Sequence, residues 1–327
     1  MRVLVTGGAG YIGSIATEAL LRAGQEVVVL DNLWRGHRAA IPPEAHFVRC
    51  DLRDEAATRD AVAKTEPEAV LHFAAATLVN ESVNDPELYF RNNVGAMLNL
   101  LSAMRLASCS RIVYSSSAAV YGEPMVLPVP EEAELKPVNP YGQTKLIGER
   151  LLEAFAVAHG FQYAALRYFN VAGATERRGE DHEPETHVIP VALRALRNEV
   201  ESFSIYGTDY PTDDGTAIRD YVHIEDLVDA HLLALDKIDQ QLGAINLGTK
   251  AGFSVKQIVE GVEQATGQPL PVTLSARRAG DPPALVADSR RARQKLGWEP
   301  RRSTLPEMVG SAWEWMQAYP QGYADGE

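Results

Sequence analysis

Glycines at 7, 10 and 13 follow directly on the apolar run Val3-Leu-Val-Thr6, and no other feature limits the fold as strongly. The apolar run predicts a buried strand. Behind the glycines, Ile15, Ala19, Leu20 and Ala23 have the spacing of one helix face. Strand, glycine turn and helix in this order make a phosphate cradle. Gly7 permits the turn, Gly10 lets backbone amides reach a pyrophosphate at the positive helix end, and Gly13 lets helix pack on strand. A second strand-like run, Glu26–Leu30, ends in Asp31. A carboxylate there accepts from the adenosine ribose hydroxyls and repels a 2′-phosphate. The expected cofactor is therefore NAD rather than NADP, even with Arg35 and Arg38 close by.

Strand and helix patterns continue to alternate. Strands are predicted near Ala45–Arg49, Ala69–Phe73, Arg111–Ser115 and Tyr163–Tyr168, and helices over Glu55–Lys64, Pro86–Ala107 and the segment holding Tyr141. That alternation predicts an α/β protein with a Rossmann-type, doubly wound parallel sheet, whose ligands bind beyond the carboxyl ends of the strands. Asp31, Phe73, Ser117 and Asn170 all follow strands and should line that edge. Past Asn170 the texture changes: 175–187 is charged and loop-like, while Ile224–Lys237 and Ala244–Leu247 read as helix and strand. The expected division is residues 1–170 plus about 220–248 as the NAD-binding domain, and about 171–219 plus 249–327 as a smaller, discontinuous α/β substrate domain.

The formal net charge is −13, which disfavours nucleic acid or an anionic membrane as partner. Two cysteines, Cys50 and Cys109, have no metal-ligand spacing and fit a reducing compartment. No apolar stretch reaches the length of a membrane span, and the chain starts on a strand rather than a signal segment. A soluble cytoplasmic protein is expected.

In Asn139-Pro-Tyr-Gly-Gln-Thr-Lys145, the tyrosine and lysine are four residues apart, one turn on a helix. An ammonium held beside a phenol favours the phenolate, and is expected to bring the Tyr141 pKa from about 10 toward about 7. Such a group removes a proton from an alcohol at neutral pH. The serine triplet Ser115-Ser116-Ser117 lies upstream, after a strand-like run.

Together these features resemble the extended short-chain dehydrogenase/reductase family, and several stretches resemble its UDP-galactose 4-epimerase branch. They include Ser115-Ser-Ser-Ala-Ala-Val-Tyr-Gly122, Leu166-Arg-Tyr-Phe-Asn170, Ile205-Tyr-Gly-Thr-Asp-Tyr-Pro-Thr212, Arg219-Asp-Tyr-Val-His223 and Arg277-Arg-Ala-Gly-Asp281. The resemblance runs in order along nearly the whole chain. It implies a homodimer that interconverts UDP-galactose and UDP-glucose through a transient 4-ketose, with NAD tightly bound. Tyr141 would be the base, Lys145 would tune it and bind the nicotinamide ribose, and Ser117 would hold the reacting oxygen. Tyr11, Ile12, Asn32, Asp51, Leu52, Phe73, Ala74, Ala75, Asn93, Ser115 and Tyr168 would join the glycines and Asp31 around NAD. Asn170, His187, Val188, Tyr206, Arg219, Arg278, Asp281 and Leu285 would bind the UDP-hexose, the two arginines pairing with its diphosphate. Thr77 departs from a lysine common in bacterial members. Leu285 stands where hexose-restricted members carry tyrosine, leaving room for an N-acetylhexosamine.

Other patterns invite discounting. Asp181-His-Glu-Pro-Glu-Thr-His187 gathers imidazoles and carboxylates, but Pro184 and the irregular spacing favour a solvated loop over a metal site. His72 reads as a core imidazole, Asp226 as part of a helix-capping turn, and Trp313 and Trp315 as packing for the last helix. Dehydration of a nucleotide sugar needs an acid–base pair after the serines, where Ala118 and Ala119 stand. A non-catalytic NAD-binding regulator would not need Tyr141, Lys145 and Ser117 together. Pentose and N-acetylhexosamine nucleotides remain alternative substrates.

Overall fold

Seven strands run parallel in one sheet in the computed structural model, which describes residues 1–277 and 281–324. Six are numbered here: β1 (Arg2–Thr6), β2 (Glu26–Asp31), β3 (His46–Arg49), β4 (Ala69–His72), β5 (Arg111–Ser117) and β6 (Gln162–Tyr168). Across the sheet the order is Gly243–Leu247, β6, β5, β4, β1, β2, β3. The chain thus winds outward from β1 to β3, then restarts at β4 on the other side of β1. That reversal opens a crevice at the carboxyl ends of β1 and β4.

Helices cover both faces, which explains why the central strands are apolar throughout rather than alternating. On one face, Tyr11–Arg22 packs against Ile224–Asp236, burying Ile15, Leu20, Leu227 and Val228. On the other, Ala96–Leu106 and Pro140–His159 bury Met97, Leu100, Leu101 and Leu152 with Leu4 and Val70. A separate core forms where Val188–Leu196, Val255–Thr266 and Leu305–Ala318 surround the paired strands Phe203–Tyr206 and Val272–Ser275. Ile189, Leu193, Ile258, Met308 and Trp315 fill it. No helix among the described residues is long and apolar enough to cross a membrane.

The expected helix over Pro86–Ala107 is interrupted. It divides into Pro86–Tyr89, a π-helical segment Phe90–Gly95, and Ala96–Leu106. A π turn holds an extra residue and re-aims the side chains that follow. Asn93, within that turn, is buried and clamps the loop after β4. Its amide donates to the Ala76 carbonyl (2.9 Å) and to Thr144 Oγ1 (3.0 Å), while its oxygen accepts from the Ala76 N–H (2.8 Å).

Two glycines are required where the crevice begins. Gly7 has φ +73°, and a Cβ on it would lie 2.6 Å from the Ala74 nitrogen. A Cβ on Gly13 would drive into the Gly7 carbonyl. Any side chain at either position would force β1, its turn and the first helix apart.

Candidate active site

A cleft of about 1380 Å³ lies along the carboxyl edge of the sheet. The β1–β4 half contributes Gly7, Gly10, Tyr11, Ile12, Gly13, Asp31, Asn32, Asp51, Leu52, Phe73, Ala74 and Ala75. From β5, β6 and the helix Pro140–His159 come Ser115, Ser117, Tyr141, Lys145 and Tyr168. Asn170, His187, Val188, Tyr206, Arg219, Asp281 and Leu285 line the rest. Asn93 is not among the lining residues. Its amide and oxygen are engaged in the clamp described above, which shapes the cleft wall. Arg278 lies outside the described residues.

The β1–β4 half fits a dinucleotide. The helix Tyr11–Arg22 starts at Gly10 with no side-chain cap, which leaves its first amides and its positive end for an anion. Asp31 Oδ2 accepts from the Ala9 N–H (3.0 Å) and Oδ1 from the Leu33 N–H (2.8 Å). A carboxylate has about four lone-pair sites, so capacity remains for a ribose hydroxyl beside the Ala9, Leu33 and Asn32 amides. Burial pushes the Asp31 pKa up, opposed by the Leu33 and Ala9 amides. Arg35 pairs with Glu81 at 2.5 Å and Arg38 stacks on Phe47 at 4.8 Å, so the Arg35 charge is already balanced. Asp51, by contrast, is held down to about 2 by hydrogen bonds from Arg53. The donors and acceptors suit NAD.

The helix Pro140–His159 presents Tyr141 and Lys145. Asn139 caps it by accepting from the Gly142 N–H (2.8 Å), Pro140 occupies its first turn, and Gly160 ends it with φ +70°. Lys145 Nζ lies 5.8 Å from the Tyr141 ring centre and donates to the Ser115 carbonyl at 2.7 Å. The electrostatics differ from the sequence expectation. Burial pushes the Tyr141 pKa up, and the hydrogen bond with Ser117 opposes it; Lys145 is not among the causes. Burial also brings Lys145 down to about 7, opposed by Glu149. Burial disfavours the charged form of each group and so opposes the expected pull of the ammonium on the phenol.

The three serines diverge. Ser115 Oγ makes a very short hydrogen bond with the Tyr168 hydroxyl. Ser116 Oγ turns away and donates to Glu149 at 2.5 Å. Ser117 Oγ accepts from the Ala119 N–H (3.2 Å), capping a short turn, and also bonds Tyr141. His72 is a buried, neutral imidazole bonded to Thr6 (2.6 Å), its pKa lowered to about 3 by burial. Asp226 accepts from the Arg301 and Arg302 amides and Ser303 (2.6–2.9 Å), pinning the loop before the last helix, while His223 caps its own helix.

On the remaining wall, Arg219 and Asp281 form an ion pair with each other. The two residues expected to meet different parts of a nucleotide thus begin as partners. The Asn170 amide donates to the Asp220 carbonyl at 2.9 Å.

One buried pair escaped the sequence reading, and one loop departs from it. Arg167 and Glu149 form a buried bidentate pair beneath the serines, each 4% exposed, with Arg167 also donating to Tyr121 (2.9 Å). Its one sequence signal is an arginine inside an otherwise apolar strand. The loop before Val188–Leu196 is also not the solvated segment expected. The Glu180 and Glu185 side chains are only 7% and 1% exposed, and together with His182 and His187 they bring four donor atoms within 4.8 Å of one another.

A doubly wound parallel sheet, a dinucleotide crevice and a tyrosine–lysine pair on one helix define an NAD-binding protein of the short-chain dehydrogenase/reductase class. Residues 3–248 match the model of the NAD dependent epimerase/dehydratase family, and the chain belongs to that family. It is 46% identical to the UDP-glucose 4-epimerase of Lacticaseibacillus casei, with 99% of both chains covered. A solved UDP-glucose 4-epimerase from Brucella ovis in complex with NAD superposes with TM-score 0.92 at 46% identity, covering 95% of this chain and 97% of that one. A further solved UDP-glucose 4-epimerase gives TM-score 0.95, with 99% of each chain covered at 46% identity.

Proposed function

We propose that the protein interconverts UDP-galactose and UDP-glucose by inverting C4 of the hexose, with NAD retained through the cycle. The observation that carries this reading is the meeting of Tyr141, Ser117 and Lys145 in a cleft whose other half suits NAD. NAD, when bound, would supply the hydride acceptor and donor for C4.

Tyr141 takes the proton of the 4-hydroxyl and returns it once the sugar has turned its other face. Ser117 bonds the same oxygen and keeps it in line. Lys145, fixed by the Ser115 carbonyl, stays available to a ribose hydroxyl and steadies the phenolate. The hexose must turn while its nucleotide stays put, so binding strength belongs on the diphosphate and uridine. Arg219, released from Asp281, pairs with the diphosphate; Asp281 takes the uridine ribose and Tyr206 offers a face to the uracil. We assign the NAD-binding role to residues 1–170 plus about 220–248, and the UDP-sugar role to the remaining segments.

Leu285 favours a second substrate. It lines the cleft where a tyrosine would restrict the sugar pocket, so UDP-N-acetylglucosamine is a partial substrate in this reading. A cytoplasmic homodimer completes it; the net charge of −13 and the resemblance in sequence support that choice. The direct test incubates purified protein with UDP-galactose, without added NAD, and follows UDP-glucose by chromatography. Product formation supports the reading; no product even with NAD added rejects it. UDP-xylose in the same assay tests pentose activity.

A further inference from the structure

Two imidazoles and two carboxylates converge in the loop that leads into the helix Val188–Leu196. His187 Nδ1 lies 2.8 Å from Glu180 Oε1 and 2.8 Å from Glu185 Oε1, and His182 Nδ1 lies 3.2 Å from Glu180 Oε1. All four donor atoms fall within 4.8 Å of one another. A tetrahedral ion with bonds of about 2.0–2.1 Å spaces its ligands about 3.3 Å apart. The pairs at 2.8 Å would have to open and any pair near the 4.8 Å limit to close for this cluster to become such a set.

A second observation points to a missing partner. Glu185 Oε2 is buried with no hydrogen-bond partner, on a side chain only 1% exposed. Its other oxygen already accepts from the Thr186 and His187 amides (both 2.7 Å) and from His187 Nδ1. Leaving a buried carboxylate oxygen unpaired costs free energy that a cation would recover.

Charge supports the same conclusion. Glu180 and Glu185 line the cleft that also contains Arg219, where an anionic diphosphate is expected. Nearby cations are already engaged: Arg194 donates to the His182 carbonyl (3.2 Å) and pairs with Glu183 (3.4 Å), and His37 faces Asp181 (3.5 Å). Two carboxylates beside a diphosphate repel it unless a proton or a metal balances them. Imidazole with carboxylate, and no thiolate, suits zinc-class divalent ions better than magnesium or calcium.

We propose that Glu180, His182, Glu185 and His187 hold one zinc-class divalent cation on the wall of the cleft. The ion would fix the loop and reduce the negative charge facing the nucleotide. His187 would ligate through Nδ1, leaving Nε2 toward the substrate side. This goes beyond the epimerase reading, and its test does not depend on turnover.

The test uses full-length protein without a histidine tag, stripped by chelator and dialysed. Titration with Co²⁺ should develop intense visible absorption that saturates at one equivalent. Zn²⁺ should bleach that absorption and Mg²⁺ should not. His182→Ala and Glu180→Gln should each weaken Co²⁺ binding by more than the ~10-fold typical of losing an outer hydrogen-bond partner. Melting curves of the stripped variants check their folding, and the unsubstituted protein decides the matter if they unfold. Absorption no stronger than aqueous cobalt overturns the proposal and leaves a proton shared between His187 and the carboxylates. Bleaching by Mg²⁺, or binding unchanged in folded variants, overturns it equally.

Discussion

The Lys145 ammonium nitrogen sits 5.8 Å from the centre of the Tyr141 ring, but it is tied to the Ser115 carbonyl at 2.7 Å and stripped of water. Burial brings its pKa to about 7 from an ordinary 10.5. Between those values the unfolded chain holds a proton that the cofactor-free native protein lacks. The contribution of this group to stability therefore rises with pH across that window, by up to about 1.4 kcal/mol per unit. Lys145→Met removes this contribution. Its melting temperature relative to the parent should be most favourable near pH 7 and decline steadily toward pH 10. A pH-independent difference would contradict the desolvated lysine.

Asp31 joins the turn amides to the expected adenosine ribose. Asp31→Ser should weaken NAD binding about tenfold, the loss of roughly 1.4 kcal/mol in charge-assisted hydrogen bonding. It should also reduce discrimination against NADP, because the carboxylate no longer repels a 2′-phosphate. Calorimetric titration with both cofactors checks this. Unaltered NAD affinity would remove Asp31 from the site.

Leu285 sets the volume of the proposed sugar pocket. Measurable epimerisation of UDP-N-acetylglucosamine is expected beside faster UDP-galactose turnover. Leu285→Tyr should abolish the first while changing the second by less than about tenfold, since filling space excludes the larger sugar selectively. Absence of any N-acetylhexosamine turnover in the parent would refute the pocket assignment.

Glu149 and Arg167 form a buried pair whose partners cannot be removed singly without leaving a charge in the dark. Arg167→Met should destabilise the fold by about 3–5 kcal/mol. The loss is predicted to exceed that of Glu149→Leu combined with Arg167→Met, where no charge remains. Urea unfolding of the two proteins gives the comparison. Equal losses would mean that the pair contributes through packing alone.

The parallel sheet and its glycine crevice were legible because local signals coincide with tertiary roles. Gly7 needs its positive φ where the chain turns, and Asp31 ends its strand where the sheet edge begins. Tyr141 and Lys145 were legible for the same reason, since four residues on a helix fix their spacing. Their pKa values were not, because desolvation depends on everything packed around them. The Asn93 clamp on the loop after β4 was not legible, because the π turn that redirects its side chain follows from packing rather than spacing. The Glu180–His187 loop reads as polar and solvated until the fold closes over its carboxylates. The Arg219–Asp281 pair joins residues 62 apart, a distance no local pattern spans.

Tyr141→Phe tests the proposed chemistry most directly, because it removes one oxygen and leaves the ring. UDP-galactose turnover is expected to fall by about 10²–10⁴-fold or more, the range for losing a positioned general base. UDP affinity, measured by calorimetry on the same protein, is expected to stay within about threefold, since no nucleotide contact is assigned to the phenol. Turnover equal to that of the parent, with binding intact, would contradict the assignment of Tyr141 as the base.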